Sequence, residues 1–468
     1  MSLAFKNSAE YIAALRRLTS SKSLFRKLEK SVLNEIVGTS IPFIPSFTSS
    51  ELRSFSKSLF LIQSVHKLNV NSLVFKVVNK KLIELGSAEN PDFHSIISIL
   101  NSLSQIVREK HDGGPPPLRP DTVWQFANEK LIHASVFDKC EFLTVLSRLN
   151  LKPFNHMMFR DKNFGNDRAI FFAQNEIEIL REYSDRGKAN GRIVASIIAL
   201  LKLDCFAFRQ YSSFSELLRL IPSRIDELSP MELSNLAYSF TASVVLESED
   251  EAGLLPQEES DSRIRTVIQI LRNLYRKRSS ISVAAMNQIG VVHFTLNHGA
   301  SDIYTDEIQR IHNLRKFLDD CLDQCGKDTV NELKQSKAQQ VVRKSIDRIG
   351  LFDIMKDEVP VGPFRLDFAI PELCIGIEID GPYHFYYKSS EVTAKTRFKR
   401  IALENQLGYR IITVPFTELK EEGDKVKFFD EKIRSILGIS KKVTSLRSEV
   451  KRMIGESQKT LGNNKIRK

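Results

Sequence analysis

Along most of the chain, apolar residues recur three and four positions apart, the spacing that lines one face of an α-helix. Leu52, Phe55, Leu59 and Ile62 form one such stripe, and Phe93, Ile96, Ile97, Leu100 and Leu103 a second. Phe142, Val145, Leu146 and Leu149 form a third, and Leu233, Leu236, Ala237 and Phe240 a fourth. Each follows a side chain able to accept from the free N–H groups of a first helical turn: Thr48 with Glu51, Asn90 with Pro91, Asp138 with Glu141, and Ser229 with Pro230 and Glu232. A further helix starts near Ser282. The starts at 48, 90, 138 and 229 lie 42, 48 and 91 residues apart, the last close to two periods. A period of about 40 to 50 residues is what stacked helical hairpins give, because each pair buries its apolar face only against its neighbours. The expected architecture is a mainly α protein built on an irregular α-solenoid, with an ordinary non-repeating helical domain as the alternative.

Two stretches interrupt the helical pattern. Residues 111–121, HDGGPPPLRPD, cannot continue a helix and predict a loop. Residues 247–262 hold seven acidic residues and no basic one, which predicts a second, solvated loop. Cys321 and Cys325 sit at helical spacing without a second pair, so free thiols are expected rather than a metal site.

Near Asn331 the period changes. A polar helix to about Ile349 is followed by FRLDFAI, which alternates Phe364, Leu366, Phe368 and Ile370 on one face with Arg365, Asp367 and Ala369 on the other. CIGIEID then turns Ile375, Ile377 and Ile379 inward and sets Cys374, Gly376, Glu378 and Asp380 opposite, with Gly381 and Pro382 ending the strand. A helix from about Val392 to Leu407, stopped by Gly408, leads to the strand YRIITVPF and a last helix holding Asp430, Ile433 and Leu437. The order is α-β-β-β-α-β-α, a small mixed sheet with helices packed on it, at about 332–437.

The chain has 468 residues, enough for two or more folding units, and 42% hydrophobic residues are enough to bury a sizeable core. Five cysteines, an odd and sparse set, argue against a disulfide framework, and no apolar run is long enough to span a bilayer. The net charge of +11 is concentrated at the ends: +5 in residues 1–30 and +7 in 438–468, which leaves −1 between them. The basic opening, with Arg16, Arg17, Lys22, Arg26 and Lys27 among apolar residues, has the character of an organellar transit segment, or else of a first surface helix, which Glu10 favours. The basic tail, with Lys441, Lys442, Lys451, Arg452, Lys465, Arg467 and Lys468, suits phosphates or a solvated end.

Chemistry gathers in the C-terminal module. If its first two clear strands pair as a hairpin, Asp367 and Glu378 share a face near Asp380. Three converging carboxylates repel unless protonated, paired with Arg or Lys, or bridged by a hard cation such as Mg²⁺, which would make metal-assisted hydrolysis of a phosphodiester feasible. Ion pairs with Arg365, Lys399 and Arg400 are the competing reading. The following helix offers Lys395, Arg397, Lys399 and Arg400; Lys395 and Lys399, one turn apart, suit successive phosphates. Tyr383, Phe385, Tyr386 and Tyr387 offer rings for stacking on unpaired bases where exposed, and plain core where buried.

GIEIDGPYHF, the basic helix TRFKRIALENQLGY and RIITVPFTEL together closely resemble the RAP domain, over about 50 residues from Arg365 to Leu419. That module is abundant in apicomplexan proteins and occurs in organellar RNA-handling proteins of the Fas-activated kinase-like group and of algae. The segment LSPMELSNLAYSF also looks like the helical units that accompany it. The resemblance implies a fold like restriction endonucleases of the PD-(D/E)XK type, and a role in organellar RNA stability, processing or ribosomal RNA maturation. The organelle is usually the mitochondrion, with a plastid as the alternative. Asp367 would match that fold's strand aspartate and Glu378 its second acid. The lysine expected two positions later is Asp380 here, which weakens the case for cutting; His384 is a substitute base or ligand, and Lys395 and Lys399 could restore the charge.

The expected domains are a transit segment at 1–30, a helical-repeat region at 31–331, the α/β RAP domain at 332–437 and a basic tail at 438–468. The first functional expectation is a protein that binds single-stranded organellar RNA, with Tyr383, Lys395, Arg397, Lys399 and Arg400 as contacts. The second is a divalent-metal-dependent endoribonuclease, with Asp367, Glu378, Asp380 and His384 as catalytic residues and the three acids as metal ligands. The third is a protein-docking scaffold in a mitochondrial ribosome or complex.

Overall fold

The computed structural model describes residues 5–66, 70–106, 118–124, 126, 131, 134–151, 191–203, 221–247, 257–300, 302–325, 336–387, 389–420, 425–439 and 445–466. The chain forms two compact units, residues 1–221 and 222–468. The first is helical, and the second joins further helices to a small α/β module.

The first unit is built from α1 (Ser8–Ser20), α2 (Lys22–Lys27), α3 (Lys30–Gly38), α4 (Ser49–His66), α5 (Ser72–Gly86), α6 (Phe93–Ile106), α7 (Pro120–Trp124), α8 (Val136–Arg148) and α9 (Gly191–Lys202). Helices α1, α4, α6, α8 and α9 pack one against the next. Their cross-helix contacts climb in step. Ser8 donates to Glu51 at 3.2 Å and Arg16 donates to Ser54. His94 Nδ1 meets Asp138 at 2.8 Å, and Arg148 reaches Ser104 at 3.3 Å. Helices α1 and α4, and likewise α6 and α8, therefore run parallel, one repeat apart, which only an intervening return segment allows. The expected stripes are its core: Leu52, Phe55, Leu59, Ile62, Ile96, Leu100, Leu103, Phe142, Val145 and Leu146 are buried.

Thr48 and Glu51 cap α4 reciprocally, with Thr48 N donating to Glu51 at 2.9 Å. Two caps differ from the expectation. Asp92, not Asn90, accepts the Ser95 N–H at 3.1 Å and starts α6. Ser135, not Asp138, caps α8, because Asp138 lies within the first turn, where its carboxylate accepts from Ser135 Oγ at 2.6 Å and meets His94. The basic opening contains α1, whose Tyr11, Ile12 and Leu15 are buried, with the Tyr11 hydroxyl donating to Ile36 C=O at 3.0 Å. Of the loop expected at 111–121, residues 111–117 lie outside the described residues, and α7 begins at Pro120.

The second unit opens with α10 (Pro230–Glu247), α11 (Gln257–Arg276), α12 (Val283–Thr295), α13 (Asp302–Gln309) and α14 (His312–Cys325). Ser229 and Glu232 cap α10 reciprocally, and Ser282 caps α12. Helices α10, α12 and α14 pack in sequence, and Ser234 donating to Gln288 at 2.8 Å continues the one-repeat offset. The acidic loop expected at 247–262 is shorter than that: residues 248–256 lie outside the described residues, and 257–262 are already helix. Glu258 stands in the first turn of α11, where the helix dipole favours acid, while Ile264, Val267, Ile268 and Leu271 are buried.

Gly290 lets α12 and α14 approach closely; a Cβ there would lie 2.5 Å from Cys325 Sγ and 2.7 Å from the Cys321 carbonyl oxygen. Both cysteines are free thiols, and burial pushes the Cys321 thiol up to about 12. A Gly290→Val protein should lose roughly 1–3 kcal/mol, because a backbone carbonyl on α14 must move. Hydrogen exchange of α12 and α14 amides would measure it, and unchanged protection would contradict the close packing.

The module begins at α15 (Lys337–Arg348), continues through β1 (Lys356–Val361), β2 (Phe364–Ile370), β3 (Ile375–Asp380), α16 (Ala394–Ile401), β4 (Arg410–Pro415), α17 (Phe416–Lys420) and α18 (Lys425–Leu437), and extends to α19 (Leu446–Ile466). The sheet order is β1-β2-β3-β4, antiparallel except for the parallel pair β3–β4, which α16 connects. One face buries Phe368, Ile370, Ile375, Ile377, Ile379, Ile412 and Val414 against Val342 and Ile346 of α15 and Phe429 and Ile433 of α18. The same core takes in Leu446 and Val450, so the basic tail contributes a packed helix to the module. The protein is thus mainly α with a small α/β C-terminal domain.

Two face assignments, those of Phe364 and Leu366, are corrected. Leu366 does not join Phe368; it packs on the opposite face with Ala369, Val361 and Leu403, beside Phe364. Alternation fails at Asp367, because the β2–β3 pairs stop at Phe368–Ile377 and Asp367 Oδ2 instead accepts the Ile379 N–H at 2.7 Å. Glu358, in β1, holds a left-handed φ of 51° at the same level, between the pairs Asp357–Phe368 and Val359–Leu366.

Candidate nucleic-acid interface

The face of the sheet that carries Gly376, Glu378 and Asp380 is covered by α16. Thr393 caps that helix, accepting from Thr396 N, while Phe398 and Ile401 bury its inner side. Phe398 meets the Tyr238 ring of α10 edge-on at 5.4 Å between centroids. The Cβ at Gly376 would fall 2.7 Å from Leu366 Cδ1 and 2.9 Å from Ile411 Cδ1, so the strand is glycine where those two side chains close over it.

Around the splayed end of β2 and β3, polar groups replace ladder bonds. Gln339, in the first turn of α15, accepts the Ser336 N–H at 2.7 Å through its side-chain oxygen. Its Nε2 donates to Glu358 at 2.7 Å and to Asp367 Oδ1 at 2.9 Å. Glu358 is held above the usual carboxylate range, first by burial and then by the Asp367 charge. Asp367 thus spends one oxygen on backbone and one on an amide.

Glu378 is 8% exposed and accepts from Lys399 Nζ at 2.6 Å. The same ammonium donates to the Arg365 carbonyl at 2.6 Å, while Glu378 Oε1 has no hydrogen-bond partner. Burial pushes the Glu378 carboxyl up to about 7, against the opposing pull of Lys399 and with the help of Asp367 and Asp380. Asp380 is 1% exposed; Arg400 donates to its Oδ2 at 3.0 Å and His384 Nδ1 meets its Oδ1 at 2.8 Å.

These partners answer the question of the acids. The structure brings Asp367, Glu378 and Asp380 to one region but satisfies each with a cationic or amide group, the ion-pair reading of the sequence. Among the described residues, no group of three or more His, Cys, Asp or Glu side chains is arranged to hold a metal ion. The expected Mg²⁺ set of Asp367, Glu378 and Asp380 therefore does not fit: Arg400 and His384 fill both Asp380 oxygens, and Lys399 already neutralises Glu378.

The expected RNA contacts separate into two groups. Lys399 and Arg400 are directed inward and tie α16 to β3, so they are not a phosphate grip. Lys395 is exposed one turn earlier, and Arg397 is half-buried. Tyr383 is 66% exposed in the turn Pro382–His384 after β3, and His384 keeps 41% of its side chain open. Tyr386 is core, its hydroxyl accepting the Ala394 N–H at 3.1 Å, and Phe385 packs toward Phe416. Exposed positive charge and an exposed ring therefore occur together at the carboxyl end of β3, the end at which open α/β sheets take ligands.

Gln339 and Glu358 escaped sequence reasoning. Ser336 and Gln339 have the S-x-x-Q spacing of a capping box, which announces the helix start but not that the amide's other end reaches two carboxylates.

No curated protein matches the chain. Residues 377–432 match the family model of the RAP domain, a span that runs from β3 through α16 and β4 into α18 and leaves Asp367 outside it. The chain thus carries a RAP domain in the segment that holds Glu378, Asp380, the Tyr383–His384 turn and the basic helix.

Proposed function

We propose that the protein binds single-stranded RNA through its RAP domain and acts in organellar RNA stability, processing or ribosomal RNA maturation, with the mitochondrion as its compartment. The RAP domain itself points to nucleic-acid binding. The observation that carries the finer reading is an exposed ring, Tyr383, in the turn after β3 and an exposed cation, Lys395, in the first turn of α16, two segments tied by the Thr393 N–H donating to His384 C=O at 2.8 Å. An exposed ring stacks on unpaired bases, whereas a duplex hides those faces. No helix among the described residues is long and apolar enough to cross a membrane.

Binding to a labelled single-stranded RNA should weaken with salt. For about three neutralised phosphates, affinity falls about 20-fold between 50 and 200 mM salt. Tyr383→Ala should cost roughly 1–3 kcal/mol of binding, and Lys395→Glu should flatten the salt slope. Absence of binding at low salt would contradict the reading. A protein partner that persists after RNase treatment, with no RNA bound, would favour the docking scaffold instead.

A further inference from the structure

We propose that His384, oriented by Asp380, is the general base of a metal-independent RNA-cleaving site that works through the 2′-hydroxyl. This rests on the RNA-binding reading above. His384 sits in a turn fixed at both backbone ends: its N–H donates to Gly381 C=O at 2.9 Å, and its C=O accepts from Thr393 N at 2.8 Å, the residue that caps α16. Asp380 is buried and paired with Arg400, so it accepts from the imidazole Nδ1–H at 2.8 Å. That hydrogen bond selects the tautomer whose Nε2 is a bare acceptor. Nε2 has no hydrogen-bond partner among the described residues, and the side chain is 41% open to solvent beside Tyr383. A buried carboxylate that orients an imidazole, on a side chain 41% open to solvent in the same turn as an exposed ring, is the arrangement of a base that serves whatever stacks there.

In the step assigned to it, Nε2 removes the proton of a ribose 2′-hydroxyl. The 2′-oxygen attacks the adjacent phosphorus, the bond from phosphorus to the 5′-oxygen breaks, and water protonates the departing 5′-oxygen. His384 then returns its proton to the hydroxide so formed. The products are a 2′,3′-cyclic phosphate and a 5′-hydroxyl, and no metal or redox partner enters the balance. The substrate class is single-stranded RNA; DNA lacks the attacking group.

The test uses the full chain with a 5′-labelled single-stranded RNA in EDTA at low salt, with binding followed by gel shift on the same samples and cleavage compared at saturation. Cleavage should leave 2′,3′-cyclic phosphate ends, a 2′-O-methyl RNA should be bound and left intact, and His384→Gln should cut about 10²-fold more slowly. RNA bound by the wild-type protein without cleavage, cleavage of the 2′-O-methyl RNA, or an undiminished rate in a folded His384→Gln protein would each overturn the proposal and leave RNA binding standing. Failure to bind RNA at all would overturn both readings together.

Discussion

Lys399→Met should destabilise the RAP domain by about 3–5 kcal/mol at pH 7.5, the largest effect expected of any single substitution in the module. The ammonium donates at 2.6 Å both to Glu378 and to the Arg365 carbonyl, and Glu378 is 8% exposed. Methionine keeps the stem but leaves a buried carboxylate without its counter-charge and a carbonyl without its donor. Glu378 can respond only by taking up a proton, so the loss should be smaller at pH 5, where the carboxyl is already protonated. Adding Glu378→Gln to Lys399→Met should restore part of the loss, because the two groups form one unit. Hydrogen exchange of the β3 and β4 amides in the full chain gives the number for the module itself. Unchanged protection in Lys399→Met would show that the ion pair contributes nothing.

Glu378→Gln should change the shape of the stability-against-pH curve by about 3 kcal/mol. The carboxyl titrates at about 7 in the folded protein against an ordinary 4.5, a difference caused first by burial. The folded chain therefore binds this proton more tightly than the unfolded chain does. Its contribution favours folding below the unfolded value, declines as pH rises from about 4.5 through about 7, and is gone above that. Glutamine cannot titrate. The stability of the wild-type protein relative to Glu378→Gln should fall by about 3 kcal/mol between pH 4 and pH 7.5. Histidine titration is common to both proteins and cancels in the difference. Parallel curves for the two proteins would mean that Glu378 is ionised across this range and that burial does not govern it.

What the sequence could and could not reveal follows from the range of the forces involved. The helical stripes and the Ile375, Ile377, Ile379 alternation are local consequences of backbone geometry, so those elements were legible. The α6 and α8 starts moved to Asp92 and Ser135, because several neighbouring side chains could each accept the same first-turn N–H. Leu366 was misassigned because strict alternation assumes an unbroken ladder, and Asp367 breaks it by taking the Ile379 N–H. The ion-pair reading names Lys399 and Arg400 among the partners of the acids, but not which acid each holds, and it pairs Arg365 with these acids where the structure sets it against Glu358. Lys399 and Arg400 stand 21 and 20 residues from the acids they hold, and which face of a helix turns inward depends on the packing of Phe398 against Phe364 and Tyr238. Gln339 lies further still from Asp367, 28 residues away, and carried only a capping signal.

The same packing explains why charge was a poor guide to the interface. Two of the four cations on α16 serve the interior, so the surface available to RNA is smaller than the composition of the helix suggests. Tyr383 and His384 stand in the turn after β3, and Lys395 in the first turn of α16, whose cap Thr393 donates its N–H to His384 C=O. Under the RNA-binding proposal, the contact surface is the turn after β3 and the start of α16 rather than the ion-paired side of the helix.

Ultraviolet crosslinking of the full chain to a single-stranded RNA, followed by mass spectrometry of the nucleotide-bearing peptides, tests that placement most directly. The account predicts adducts on the peptide that spans Tyr383 and His384 and on the start of α16, lost in Tyr383→Ala. Efficient crosslinking confined to the helical repeats, with that turn untouched, would contradict it.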